Sequence, residues 1–144
     1  MKQILEALKT EIKDGMEEIK GVHVLADPDV LPPTVQFPCV GLKDGDVSRS
    51  EGMNETVDRT EIVLIYIYVQ LLRDEASIMG LGTSKGLLDL FEDLHTELNH
   101  NTLSLSGVIH AFCSEEFPSE MFMAGENVFV QRKGCRYVYE IQNT

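Results

Sequence analysis

The stretch Thr60-Glu61-Ile62-Val63-Leu64-Ile65-Tyr66-Ile67-Tyr68-Val69-Gln70-Leu71-Leu72 decides how this chain folds. From Ile62 to Val69 every residue is β-branched, aromatic or aliphatic. Such side chains fit the pleated, half-buried setting of a strand. A strand with one wet face alternates apolar and polar residues; here both faces are apolar. One face is expected to meet the chain's own helices, and the other needs a second cover. A subunit partner is one way to provide it, and a central strand covered on both sides within one monomer is the other.

Working outward, residues 2–19 carry Leu5, Leu8, Ile12, Met16 and Ile19 at the three-and-four spacing of one helical face. Glu6, Lys9, Glu11, Lys13 and Glu17 fall on the other faces, and Gly21 is a plausible stop. Four of the five prolines lie between residues 28 and 38. They predict an irregular connector there, since proline removes a donor and fixes φ. A short strand over 39–47 follows, with Pro38 at its edge. Residues 48–57 are polar and contain glycine, and read as a long loop.

Beyond the central strand, 74–79 predicts a helical turn. A helix over 84–99 puts Leu87, Phe91, Leu94 and Leu98 on one face, with Thr83 or Ser84 as its cap and Asn99-His100-Asn101 as its end. A strand over 108–116, an apolar loop over 117–126 and a last strand over 128–141, bulged or broken near Gly134, complete the chain. Helices and strands segregated in this way predict one α+β domain over residues 1–144, a mostly antiparallel sheet with two main helices packed on one face.

Composition narrows the function. A hydrophobic content of 43% is too high for a disordered chain. With 24 acids against 12 bases, the net charge of −12 argues against a nucleic-acid groove or an anionic membrane as the main partner. No run of about 18 apolar residues is present, and the segment from Met1 to Gly21 lacks the apolar core of a signal peptide, so a cytoplasmic life is expected. Cys39, Cys113 and Cys135 form an odd set with no close pairing, which reads as free buried thiols.

The motifs that suggest chemistry are weak. Gly80-Leu81-Gly82-Thr83-Ser84-Lys85-Gly86 precedes a helix, but the spacing of a phosphate loop or a dinucleotide fingerprint is absent. His95 and His100 stand five apart, His23 and His110 have no partner at ligand spacing, and no Cys-x-x-Cys exists, so no metal is expected. Cys113 and Cys135 fall in strands and lack an evident activating base. No cofactor and no catalytic residue is expected, and the chain does not read as an enzyme. Arg132, Lys133 and Arg136 make a cationic spot in an acidic chain, suited to blunting a strand edge or to pairing with a neighbour's acids.

The order of these features resembles a known family. An amphipathic N-terminal helix leads through a proline-rich link to a short strand. A long polar loop precedes the apolar strand opening Arg59-Thr60-Glu61, a helix beginning Gly86-Leu87-Leu88-Asp89-Leu90 runs to Leu98-Asn99, and Cys135-Arg136-Tyr137-Val138-Tyr139 closes the chain. Over nearly its whole length this is similar to the tail-terminator and tail-completion (neck) proteins of long-tailed bacteriophages. The resemblance implies a virion protein assembled in the host cytoplasm. It implies a ring, a hexamer in that family, at the head-proximal end of the tail tube, which stops tube polymerisation and joins the tail to the head connector. The implied partners are other copies of the chain, the tail-tube protein and the head–tail connector protein, with no membrane.

A ring uses a head-to-tail contact, in which one patch meets a different patch on the next copy. The candidate patch is Ile62, Leu64, Tyr66 and Tyr68 with Arg132, Lys133 and Arg136; the candidate inter-ring loop is Arg49, Glu51, Met53 and Glu55. Six copies would carry six times −12, about −72, and acids lining the lumen would repel passing DNA within a Debye length of about 8 Å, so DNA would pass without specific binding. Three other readings compete: another head–tail joining or tail-tube-related subunit, a non-viral intracellular module that binds a peptide along its sheet edge, and an enzyme with an unrecognised site, which predicts a concave pocket of convergent polar groups.

Overall fold

The computed structural model describes residues 1–51, 57–70, 74–80, 85–125 and 128–143. Three helices, α1 (Lys2–Gly15), α2 (Asp74–Met79) and α3 (Leu87–Leu98), accompany six strands: β1 (Val22–Val24), β2 (Cys39–Glu51), β3 (Val57–Gln70), β4 (Val108–Glu116), β5 (Glu120–Gly125) and β6 (Val128–Asn143). The strands form one sheet in the order β1-β2-β3-β6-β4, with β5 also paired to β6. Among the described residues only the β1–β2 pair is parallel. The expected α+β class, mostly antiparallel with the helices on one face, is what forms.

Strand β3 lies at the centre because it is apolar on both faces. Its odd-numbered residues Val63, Ile65, Ile67 and Val69 join Ile4, Leu8 and Ile12 of α1 and Leu87, Leu90, Phe91, Leu94 and Leu98 of α3 in one core. Tyr137 and Tyr139 of β6 and Val40 and Leu42 of β2 extend that core across the sheet. The Tyr137 hydroxyl is hydrogen-bonded to Nδ1 of His95 on α3, so its one polar atom is satisfied inside.

Several boundaries differ from the sequence reading. Helix α1 ends at Gly15, not near 19, because Met16 takes an extended backbone; Met16 and Ile19 are still buried, carried under the sheet by the turn that follows. The strand expected to stop at 47 continues to Glu51 and pairs with β3 as far as Glu51 opposite Val57. Residues 48–51 and 57 are thus the outer part of a hairpin arm that reaches past the core, where polar side chains on both faces are compatible with backbone pairing. Three-residue β1 is too short to leave a periodic signal.

The apolar segment read as a loop over 117–126 contains β5. Pro118 interrupts the edge strand, but the Phe117 N–H still donates to the Gly134 carbonyl, so β4 and β5 lie end to end along β6. Strand β6 is not broken at Gly134, which stays in register opposite Tyr66. The glycine is required by contact: a Cβ there would sit 2.5 Å from the Tyr66 ring and 3.1 Å from Phe117. The irregularities are on β4 instead, between Val108 and His110 and between Cys113 and Glu115.

The glycine-rich approach to α3 also has a packing explanation. At Gly86 a Cβ would fall 2.4 Å from the Gly80 nitrogen and 2.5 Å from the Ile78 carbonyl oxygen. The chain's own backbone occupies the space beside this helix start, where a phosphate would have to sit. The Asp89 carboxylate accepts the Gly86 N–H at 3.2 Å and caps the helix; the proposed caps Thr83 and Ser84 lie outside the described residues. At the far end the left-handed residue is His100, with φ 62°, not an asparagine. Asn101 instead uses its side chain, donating to the Glu97 carbonyl and to Glu11 and accepting from the Leu103 N–H.

Candidate subunit interface

The face of the sheet away from the helices carries the even-numbered residues of β3. Cross-strand register sets its rows: Cys39, Tyr68 and Arg132; Gly41, Tyr66 and Gly134; Lys43, Leu64 and Arg136; then Ile62, Val138 and Phe112. These rows divide into a covered half and an open half.

The covered half lies under the connector. Leu25, Leu31, Cys39, Tyr68 and Val130 form a second small core, with Val35, Phe37, Tyr66, Phe122 and Ala124 packed against it. Tyr68 is fully buried, and its hydroxyl donates to the Pro28 carbonyl at 2.6 Å. Burial in these surroundings raises the Tyr68 phenol well above its ordinary value. Arg132 fastens the same corner. It donates to the Pro28 carbonyl at 3.0 Å, pairs with Asp29 at 2.6 Å and Glu120 at 2.7 Å, and lies over the Phe122 ring at 4.4 Å. The arginine's surface is therefore spent within the chain. Arg132→Ala is expected to cost about 2 kcal/mol, since hydrogen bonds to charged groups are worth roughly 1.5–3 kcal/mol each way. A lowered urea midpoint and faster cleavage within residues 26–37 by a non-specific protease would show it; an unchanged cleavage rate would mean the connector is held otherwise.

The open half is different. Ile62, Leu64 and Phe112 are half-buried with no connector above them. Charged pairs surround them: Lys43 with Asp44, Arg136 with Glu115 at 4.0 Å, and His110 with Glu140 at 3.7 Å. An apolar centre inside a polar rim is the usual anatomy of a protein–protein contact. Nε of Arg136 is buried and finds no acceptor among the described residues.

The structure thus separates residues that the sequence grouped. Ile62, Leu64 and Arg136 share the open half. Tyr66 straddles the boundary, while Tyr68 and Arg132 are committed to the connector. Lys133 is on the opposite, helix-bearing face, over the Phe91 ring at 5.6 Å and donating to the Phe117 carbonyl at 2.9 Å. Of the proposed inter-ring loop, Arg49 and Glu51 are exposed on the arm of β2, whereas Met53 and Glu55 lie outside the described residues. Arg49 stands directly opposite Arg59, and Glu61 already supplies an acid to that like-charged pair, with its Oε1 3.4 Å from Nε of Arg59.

One surface escaped the sequence reading. The β5–β6 hairpin exposes Met121, Met123, Val128 and Phe129, the first two at 58% and 56%. Their neighbours Phe122 and Val130 face the second core, so the outward residues are apolar by choice of side chain and not by lack of an inner face. Alternation is invisible there, because both faces carry apolar residues.

Among the described residues no cluster of three or more His, Cys, Asp or Glu is placed to hold a metal. No described helix is long and apolar enough to cross a membrane.

No protein-family model matches this sequence. No curated protein matches it either. Among solved structures, the chain is similar in fold to a chain of the virion of a native gene transfer agent particle, with a TM-score of 0.58 over 96% of each chain at 11% identity.

Proposed function

We propose that this chain is a structural subunit of a phage-like virion, forming a ring at the head-proximal end of a tail tube, where it ends tube growth and joins the tail to the head connector. The observation that carries the reading is the fold likeness to a virion chain across 96% of both molecules. The open half of the outer face and the apolar β5–β6 hairpin support assembly, because each is improved by a neighbour. The hexameric stoichiometry and the terminator position follow from the resemblance in feature order; the acid excess suits a lumen through which DNA slides without adhering.

A tube-length assay tests the position. Tail-tube protein is polymerised with and without this chain, and lengths are scored by electron microscopy. Tubes capped at short, uniform length with a ring at one end are the expected outcome. Tubes that grow equally long in its presence, while it binds connector protein, would move the subunit to the head side of the joint.

A further inference from the structure

Cys113 and Cys135 are neighbours in the fold although the sequence spacing does not pair them. Cys113 on β4 stands opposite Tyr137, and Cys135 on β6 stands opposite Glu116, so both face the helix side of the sheet. The register shifts between Cys113 and Glu115, and the two cysteines are diagonal neighbours on the same face of the paired strands. Their access to solvent is unequal. Cys113 is half-buried on the wall of an open cleft of about 400 Å³, lined also by His95, Asn99, Ser114, Glu115 and Glu116. Cys135 is fully buried beneath it, and Cys39 lies in the second core across the sheet.

We infer that Cys113 and Cys135 are a redox-active dithiol, in which Cys113 attacks a small-molecule disulfide and Cys135 resolves the adduct, tying edge strand β4 to β6. The asymmetry of access fixes the roles, because Cys113 lines the open cleft while Cys135 is fully buried. Groups from every packed element face the pair: His95 from α3, Glu115 and Glu116 from β4, Lys133 and Tyr137 from β6. Interaction with the neighbouring Cys135 thiol and, secondarily, the charge of His95 outweigh burial and Glu116 and bring the Cys113 thiol down to about 6. As a neutral thiol Cys113 donates to the Glu115 carbonyl at 3.5 Å, a bond it gives up on ionising. Interaction with Cys113 and burial push Cys135 the other way. A thiol ionised near ambient pH is well placed for exchange, being largely thiolate and still nucleophilic.

The chemistry balances. The Cys113 thiolate attacks one sulfur of RS–SR, the S–S bond breaks, and RS⁻ leaves to take a proton. Cys135 then loses its proton to solvent and attacks the Cys113 sulfur, expelling the second RS⁻, which is protonated in turn. Two protein thiols are oxidised to one disulfide, and RS–SR is reduced to two RSH. The inference rests on the fold alone and not on the role in the virion.

Oxidised glutathione at pH 7 is the probe, applied to the full chain and followed by mass. Wild type is expected to lose about 2 Da, with tryptic peptides 86–132 and 134–136 linked, while Cys39 stays reduced. Cys135→Ser keeps a hydroxyl donor and should stop at one stable glutathione on Cys113. Cys113→Ser should leave Cys135 unreacted over the same period, at least about 100-fold slower. The variant-independent readout is alkylation of wild type across pH, with Cys113 alone reactive and half-maximal at a pH of about 6. Wild type that halts at the mixed disulfide, or a Cys135 modified as fast as Cys113, would overturn the inference.

Discussion

Leu94→Ala is expected to remove about 2–5 kcal/mol of stability, the range for truncating a buried leucine where the surroundings close up only in part. Leu94 is fully buried at the centre of the face that α3 lays on the sheet. Leu88, on the same helix, is 41% exposed, and its change to alanine should cost under about 0.5 kcal/mol. The two substitutions share their chemistry and nearly their helix propensity, so the difference isolates burial. Against a total stability of roughly 5–15 kcal/mol, the first is a large loss. Urea unfolding of both variants, with equal slopes, measures it. Equal losses at the two positions would mean that α3 docks through a different face.

The parts of the fold that were legible in the sequence are those with a strong single period. The α3 stripe of Leu87, Phe91, Leu94 and Leu98 and the unbroken apolar run of β3 both emerge at the expected places. Failures occur where a local signal conflicts with pairing at a distance. Residues 48–51 look like a loop because they are polar, yet backbone pairing with β3 does not require apolar side chains once the arm leaves the core. Pro118 looks like the end of a strand, and it is one, but β5 resumes along the same partner two residues later.

The candidate interface shows the same limit. Alternation in β3 correctly places Ile62, Leu64, Tyr66 and Tyr68 on one face. It cannot say that the connector returns over half of that face, because the contact between Pro28 and Tyr68 spans forty positions in sequence. Arg132, Lys133 and Arg136 look like one cationic spot when read in a row. Strand alternation sends Lys133 to the helix side, and the acids Asp29 and Glu120 engage Arg132 from two other segments. The bulge between Cys113 and Glu115, which sets where Cys113 lies relative to Cys135 on the neighbouring strand, is announced by no periodicity.

Leu64→Glu should separate folding from assembly. Leu64 stands between Lys43 and Arg136 in adjacent strands, so a carboxylate there gains two cations across the sheet. Such cross-strand pairs are worth about 0.2–1 kcal/mol each, which offsets much of the apolar surface lost at a half-buried site. The isolated subunit is therefore expected to unfold within about 1 kcal/mol of wild type. At an interface the outcome reverses, because the same substitution puts a charge at the middle of the apolar centre formed with Ile62 and Phe112. Truncating a central contact typically costs about 2 kcal/mol or more, and taking the carboxylate and its two cations out of water costs further. In the proposed ring the contact is expected to weaken by at least about 100-fold, leaving tubes uncapped at concentrations where the proposed function has wild type capping them. Leu64→Glu subunits that fold normally and still close rings would show that the open half of the sheet faces solvent in the particle, and the exposed β5–β6 hairpin would then be the surface on which neighbouring copies meet.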